Sequence, residues 1–225
     1  MDLTRPQVIF ENRNDAGRKL ATELRDYDNR SAVVLAIPNG GVPLAVELAN
    51  ALNADLDLVV CRKISIPINP GAGFGAVADD GTIILNEEAV SKFGLNKQQI
   101  EYEASRVRAE IKQRSLLYRA SRPPVSVTGK TVIIVDDGLA SGFTMIAAVE
   151  SVRHRRPKEI IVAVPVASAT ALKQIENIAD KVVTCATGVM PRFHISDFYR
   201  QLPDISDDQV IQSIKQWQTR HLRGI

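Results

Sequence analysis

Short apolar runs alternate along the chain with stretches whose apolar residues recur at steps of three and four. The runs at 32–37, 56–61, 131–135, 159–164 and 181–185 have the length and composition of buried strands. The stretches at about 13–26, 42–52, 96–119, 143–153 and 168–178 carry a helical period. In the longest of them Ile100, Ala104, Val107, Ile111 and Tyr118 form one stripe, which Arg122-Pro123-Pro124 stops. This alternation predicts repeated β-α units: an α/β fold with a mostly parallel central sheet flanked by helices. A last helix is expected after Ser206-Asp207-Asp208-Gln209, which has the form of a capping box.

The stretch 65–86 breaks the rhythm. Pro67, Pro70, Gly71, Gly73 and Gly75 crowd its first part, which reads as a mobile loop, and Asp80-Gly81 between two strand-like runs reads as a hairpin turn. The chain is expected to form one domain, 1–225. Its parts are this flexible loop and hairpin at 65–86, a helical insertion at 87–122 and a C-terminal tail or hood at 187–225.

Composition narrows the functional classes. The chain has 225 residues, with 28 Lys and Arg against 26 Asp and Glu for a net charge of +2, so no strong electrostatic partner is written into it as a whole. No apolar run approaches the ~18 residues of a membrane span. The first residues lack a secretory pattern, and two cysteines far apart, Cys61 and Cys185, read as buried reduced thiols; a cytoplasmic location is expected. Three scattered histidines argue against a structural zinc site. Residues 92–122 hold eight basic and three acidic side chains, a net of +5, read as a solvated helix or subunit contact ahead of a nucleic-acid face. Gly129-Lys130-Thr131 lacks the earlier glycine of a phosphate loop and precedes a strand. Gly71-Ala72-Gly73-Phe74-Gly75-Ala76 follows a proline rather than a strand, which removes it as a dinucleotide site.

Three segments carry chemistry. Val132-Ile133-Ile134-Val135-Asp136-Asp137-Gly138-Leu139-Ala140-Ser141-Gly142-Phe143-Thr144 runs from a buried strand to an acidic pair, then through a small-residue turn into a helix. Ligands of open α/β sheets bind at this edge, and free amides of the turn and helix start make an anion cradle to which Ser141 and Thr144 add hydroxyls. Two carboxylates beside such a cradle suit hydroxyl donors or a divalent cation, so a phosphorylated sugar with a vicinal diol satisfies both halves. Ala36-Ile37-Pro38-Asn39-Gly40-Gly41-Val42-Pro43 repeats the strand, glycine turn and helix order. Arg62-Lys63 ends the next strand and would offset a highly charged anion.

The 132–144 segment resembles the phosphoribosyl pyrophosphate signature of the type I phosphoribosyltransferase family. Ser141-Gly142 stands where that family usually has Thr-Gly, which keeps the hydroxyl. The similarity spans about residues 8–200, and Phe10-Glu11-Asn12-Arg13-Asn14-Asp15-Ala16-Gly17-Arg18 resembles starts found in one branch of the family.

The resemblance implies a magnesium-dependent transfer of ribose 5-phosphate from phosphoribosyl pyrophosphate to a nitrogenous base, with pyrophosphate released. It implies that Asp136 and Asp137 hold the ribose hydroxyls and magnesium, directly or through water. Gly138, Leu139, Ala140, Ser141, Gly142, Phe143 and Thr144 would anchor the 5′-phosphate. Asn39, Gly40 and Gly41, through an unusual peptide geometry, would hold the pyrophosphate with Arg62 and Lys63, and Lys63 joins the two acids as a catalytic candidate. The 65–86 loop would close over the reaction, and a homo-oligomer without membrane or nucleic-acid partners is expected. Members that use 6-oxopurines carry an aspartate where this chain has Ala140, which disfavours that acceptor. Phe193, His194, Phe198 and Tyr199 would either stack on a planar base or pack the C-terminal helix onto the domain. The competing reading is a regulator that binds phosphoribosyl pyrophosphate or a nucleotide without catalysis.

Overall fold

A computed structural model describes residues 1–28, 31–66, 69–119 and 123–222. In chain order its elements are β1 (Asp2–Leu3), α1 (Arg13–Glu23), β2 (Ala32–Ala36), α2 (Gly41–Ala51), β3 (Asp55–Leu58), β4 (Cys61–Ile66), β5 (Asn69–Ala78) and β6 (Ile83–Leu85). Then come α3 (Glu87–Lys92), α4 (Lys97–Arg119), β7 (Thr131–Val135), α5 (Phe143–His154), β8 (Glu159–Ser168), α6 (Ala169–Glu176), β9 (Lys181–Gly188) and α7 (Asp207–Leu222).

Six strands form a wholly parallel sheet in the order β1-β9-β8-β7-β2-β3. Successive residues of a strand point to opposite faces, and the core divides accordingly. Val34, Ala36, Ile133 and Val135 pack with Leu20, Leu44 and Leu48 of α1 and α2. Val33, Leu35, Val132 and Ile134 pack on the other face with Met145, Ala148 and Val152 of α5. Cover on both faces explains why the strands are near-continuous apolar runs.

The run at 56–61 is not one strand. It ends at Leu58 in the parallel sheet, and Cys61 begins β4 of a separate antiparallel sheet, β4-β5-β6. The residues before the hairpin are therefore largely strand, not irregular loop: β5 pairs with β4 from Ile66↔Asn69 to Cys61↔Ala78, with register shifts around Ser65. Pro67 lies outside the described residues. The turn at Asp80-Gly81 forms as expected, with Gly81 at φ +93° and Thr82 N–H bonded to the Asp80 carboxylate at 2.9 Å.

The insertion contains α4 and a short helix, α3, that the periodicity did not predict. Asn86 caps α3 by accepting from Ala89 N–H. The Arg122-Pro123-Pro124 stop begins at a residue outside the described set. The last helix starts as expected: Ser206 and Gln209 exchange side-chain and backbone hydrogen bonds at 2.8 and 3.2 Å. Among the described residues no helix is long and apolar enough to cross a membrane. Both cysteines are free; Cys61 is buried as expected, whereas Cys185 is only half-buried.

Candidate functional site

β2 and β7 are neighbours in the sheet, so their C-terminal ends deliver two strand-to-helix turns to one edge. A cleft of about 460 Å³ opens there. It is lined by Asn39 and Gly40 from the first turn, Asp136, Asp137 and Thr144 from the second, and Arg62 and Lys63 from β4. The structure thus brings all three sequence segments together.

In the first turn the Pro38–Asn39 peptide is cis, the unusual geometry that the resemblance implied. Gly40 and Gly41 lead into α2, which has no side-chain cap; Gly41 N–H and Val42 N–H donate instead to Ile37 C=O and Asn39 C=O at 3.0 and 3.2 Å. Gly40 answers a close approach: a Cβ there would collide with the Asp137 carboxylate. The Asn39 side chain does not point at a free anion site. Its amide donates to Ile205 C=O at 2.8 Å and to Asp207 Oδ1 at 2.9 Å, and its oxygen lies 3.1 Å from the Tyr118 hydroxyl, which is 2.7 Å from Asp207 Oδ1.

The second turn is organised by its backbone. Leu139 N–H donates to Val166 C=O and Leu139 C=O accepts from Ser168 N–H, which seats the turn on β8. The Ser168 hydroxyl donates to Ala140 C=O at 2.7 Å. Gly142 sits at φ +82° and starts α5 without a side-chain cap. Ala140 and Ser141 are exposed, Thr144 lines the cleft, Gly138 and Leu139 are buried, and Phe143 packs against the core. Both backbone polar groups of Leu139 are taken up by β8, so Leu139 supports the turn from behind, and Phe143 can offer a ligand its backbone only.

The two acids are unequal. Burial pushes the Asp136 carboxyl well above the usual carboxylate range; the Asp137 charge adds to this, while the Asp137 N–H at 2.8 Å and Arg13 oppose it. Asp137 is paired: Arg13 Nε and Nη2 approach Asp137 Oδ2 at 2.9 and 2.8 Å. The Tyr199 hydroxyl donates to Asp137 C=O at 2.7 Å. Burial, and then the like charge of Arg114, lower the Arg62 guanidinium from its usual value.

Sequence reasoning missed four groups at this edge: Arg13, Arg114, Tyr118 and Asp207. Arg114 and Tyr118 project from α4 and, with Asn39, meet the Asp207 carboxylate at the start of α7. Burial raises the Asp207 carboxyl, but the Tyr118 hydroxyl, the Asn39 amide and the Arg114 charge together hold it below its usual value. A charged residue filling the gap in an apolar helix stripe, three after Ile111 and four before Tyr118, was the only local hint of Arg114, and Asp207 read simply as part of a helix start. Arg13 stood inside a segment already singled out, but nothing local named its partner 124 residues away.

Of the aromatic tail, Phe198 and Tyr199 are core residues, with Tyr199 against Phe10 at 5.2 Å and Phe198 against Phe193 at 5.2 Å between ring centroids. Both therefore pack in the core, against the N-terminal segment and the tail itself, and His194 is exposed. The cover on this side of the cleft comes instead from Asp204 and Ile205. On α4, Arg106, Arg108, Arg114 and Arg119 are each in ion pairs with carboxylates, as a solvated helix tied to its neighbours would be.

The model of the phosphoribosyl transferase domain family matches residues 9–196. Two Mycobacterium tuberculosis proteins with provisional phosphoribosyl transferase names, Rv0571c and MT0597, are each 35% identical over 203 residues, 90% of this chain and 46% of theirs. The chain thus spans about half the length of the curated relatives it matches. The crystal structure of TT1426 from Thermus thermophilus is 34% identical and superposes with a TM-score of 0.75, covering 92% of this chain and 98% of that one. The chain belongs to the phosphoribosyl transferase domain family.

Proposed function

We propose that the chain is a phosphoribosyltransferase that moves the ribose 5-phosphate group of phosphoribosyl pyrophosphate to a nitrogenous base and releases pyrophosphate. The observation that carries this reading is the convergence of two uncapped helix starts, an acid pair and two cations on one cleft. The turn from Gly138 to Thr144 takes the 5′-phosphate through backbone N–H groups and the hydroxyls of Ser141 and Thr144. Asn39, Gly40 and Gly41 frame the pyrophosphate, with Arg62 and Lys63 offsetting its charge. Asp136 and Asp137 accept from the ribose hydroxyls.

The base attacks C1 as the C1–O bond to pyrophosphate breaks. The chain's part is to position the reactants and to stabilise the separating charges, with Lys63 facing the charge that develops on the leaving pyrophosphate. Magnesium prefers oxygen ligands and commonly shares one or two carboxylates with substrate phosphates, so the adjacent acids fit such an ion. When bound, it would offset the pyrophosphate charge. Ala140 offers no side-chain proton acceptor to the base, which argues against 6-oxopurine acceptors.

The test is pyrophosphate release with magnesium, phosphoribosyl pyrophosphate and a panel of bases. Release with one member of the panel is expected, and Asp137→Asn should lower turnover far more than folding stability. Equal losses would make that acid structural. Tight binding of phosphoribosyl pyrophosphate with no release across the panel would make the chain a regulator.

A further inference from the structure

The segment 10–18 has no part in the function proposed above, yet its Arg13 lines the site. Asn12 caps α1 by accepting from Asp15 N–H, and Glu11 N–H donates to the Asp15 carboxylate at 3.0 Å. Phe10 is fully buried and is held on the tail: Phe10 N–H donates to Phe198 C=O and Arg200 N–H to Phe10 C=O. From this braced helix start Arg13 reaches Asp137. Both side chains are largely buried, 11% and 14% exposed.

The geometry of the contact is selective. Two guanidinium nitrogens converge on Oδ2, the same oxygen against which Gly40 is packed. The third nitrogen, Nη1, is bonded to Pro203 C=O, so the guanidinium plane is itself fixed. The Tyr199 hydroxyl holds the Asp137 carbonyl. The carboxylate is thus locked in rotation, with Oδ1 left to accept a hydroxyl hydrogen bond. A planar fork can pin one carboxylate oxygen in this way, and an ammonium cannot.

We infer that Arg13 is a positioning residue for sugar recognition: it orients Asp137 so that the site holds a vicinal diol and discriminates against a deoxy sugar. This rests on the phosphoribosyltransferase reading, in which Asp137 meets the ribose hydroxyls. Arg13 does not touch the sugar. Its effect is exerted through Asp137, whereas the cations assigned to pyrophosphate, Arg62 and Lys63, come from a different element, β4.

The experiment measures binding of ribose 5-phosphate, 2-deoxyribose 5-phosphate and inorganic pyrophosphate to the full chain and to Arg13→Gln. The unaltered chain is expected to prefer the ribose over the deoxyribose compound by about tenfold, the scale of one hydrogen bond to a charged group. In Arg13→Gln that preference should fall to within about twofold while pyrophosphate affinity is retained. A preference that survives the substitution overturns the assignment. So does a parallel loss of all three ligands in a chain that remains folded, because that marks a merely structural role. If Arg13→Gln does not fold, Arg13→Lys decides in the same way: it keeps the charge but not the fork, so the preference should drop, and its survival overturns the inference. Failure of the unaltered chain to bind ribose 5-phosphate would overturn the phosphoribosyltransferase reading itself, and is read before any variant is made.

Discussion

The chain makes a strand-to-helix turn twice at one sheet edge, after β2 and after β7, and holds the two copies by different means. The first adds distant side-chain ties to its own backbone bonds: Asn39 is wired to Ile205, Asp207 and Tyr118, from the tail and the inserted helix. The second is seated by backbone pairing with β8 and keeps Ser141 exposed. A turn set by its own backbone can present an anion cradle with little help. A turn set by distant side chains has a shape that depends on whether those elements are in place. The two meet where Gly40 packs against Asp137.

That meeting point gives the largest expected effect. Gly40→Ala places a Cβ against the Asp137 carboxylate and should lower turnover by about a hundredfold, as a small displacement of a reacting constellation does. Gly142→Ala should act mainly on stability instead, costing about 1–2 kcal/mol for a left-handed backbone position. Urea unfolding together with turnover of both variants checks the contrast; equal activity losses would show that the two turns do not differ in this way.

The next effect concerns Asp136. Its carboxyl is raised in the folded chain, so ionising it weakens folding as pH rises from the unfolded value, about 3.9, through the folded one. Asp136→Asn should therefore melt a few degrees higher than the unaltered chain near neutral pH and lose that advantage in acid, while its activity falls. Thermal scans across pH test this, and an advantage that grows toward acid pH contradicts it.

The smallest effect is at Ser168, whose hydroxyl caps α6 and bonds Ala140 C=O. Ser168→Ala should lower stability by about 1 kcal/mol and leave ribose 5-phosphate binding in place. Lost binding would show that the second turn also depends on side chains.

Much of this was legible in the sequence, for a physical reason. β7 lies where its apolar run placed it, because a strand covered on both faces must be apolar at every position. The three site segments are local strand-to-turn patterns, and parallel pairing of β2 and β7 brings two of them together. The departures also have causes. Val59 and Val60 are as apolar as a strand, so composition could not mark where the chain passes from one sheet to the other. Gly75 reads as loop but lies in β5, where a Cβ would collide with the Ile84 carbonyl of the adjoining strand. Arg13 and Asp207 were unreadable as site residues because their partners are set by tertiary packing, which has no period.

The contact between Gly40 and Asp137 has a consequence for anyone redesigning this scaffold. Positions 40 and 137 behave as a single unit of volume, although they stand far apart along the chain. A bulkier amino acid at the first requires a smaller side chain at the second, and aspartate is already the shortest carboxylate, so the exchange costs the acid. Paired libraries at these two sites selected for turnover should therefore return glycine at 40 together with aspartate at 137, and larger residues at 40 should survive only where folding alone is selected and position 137 has shrunk.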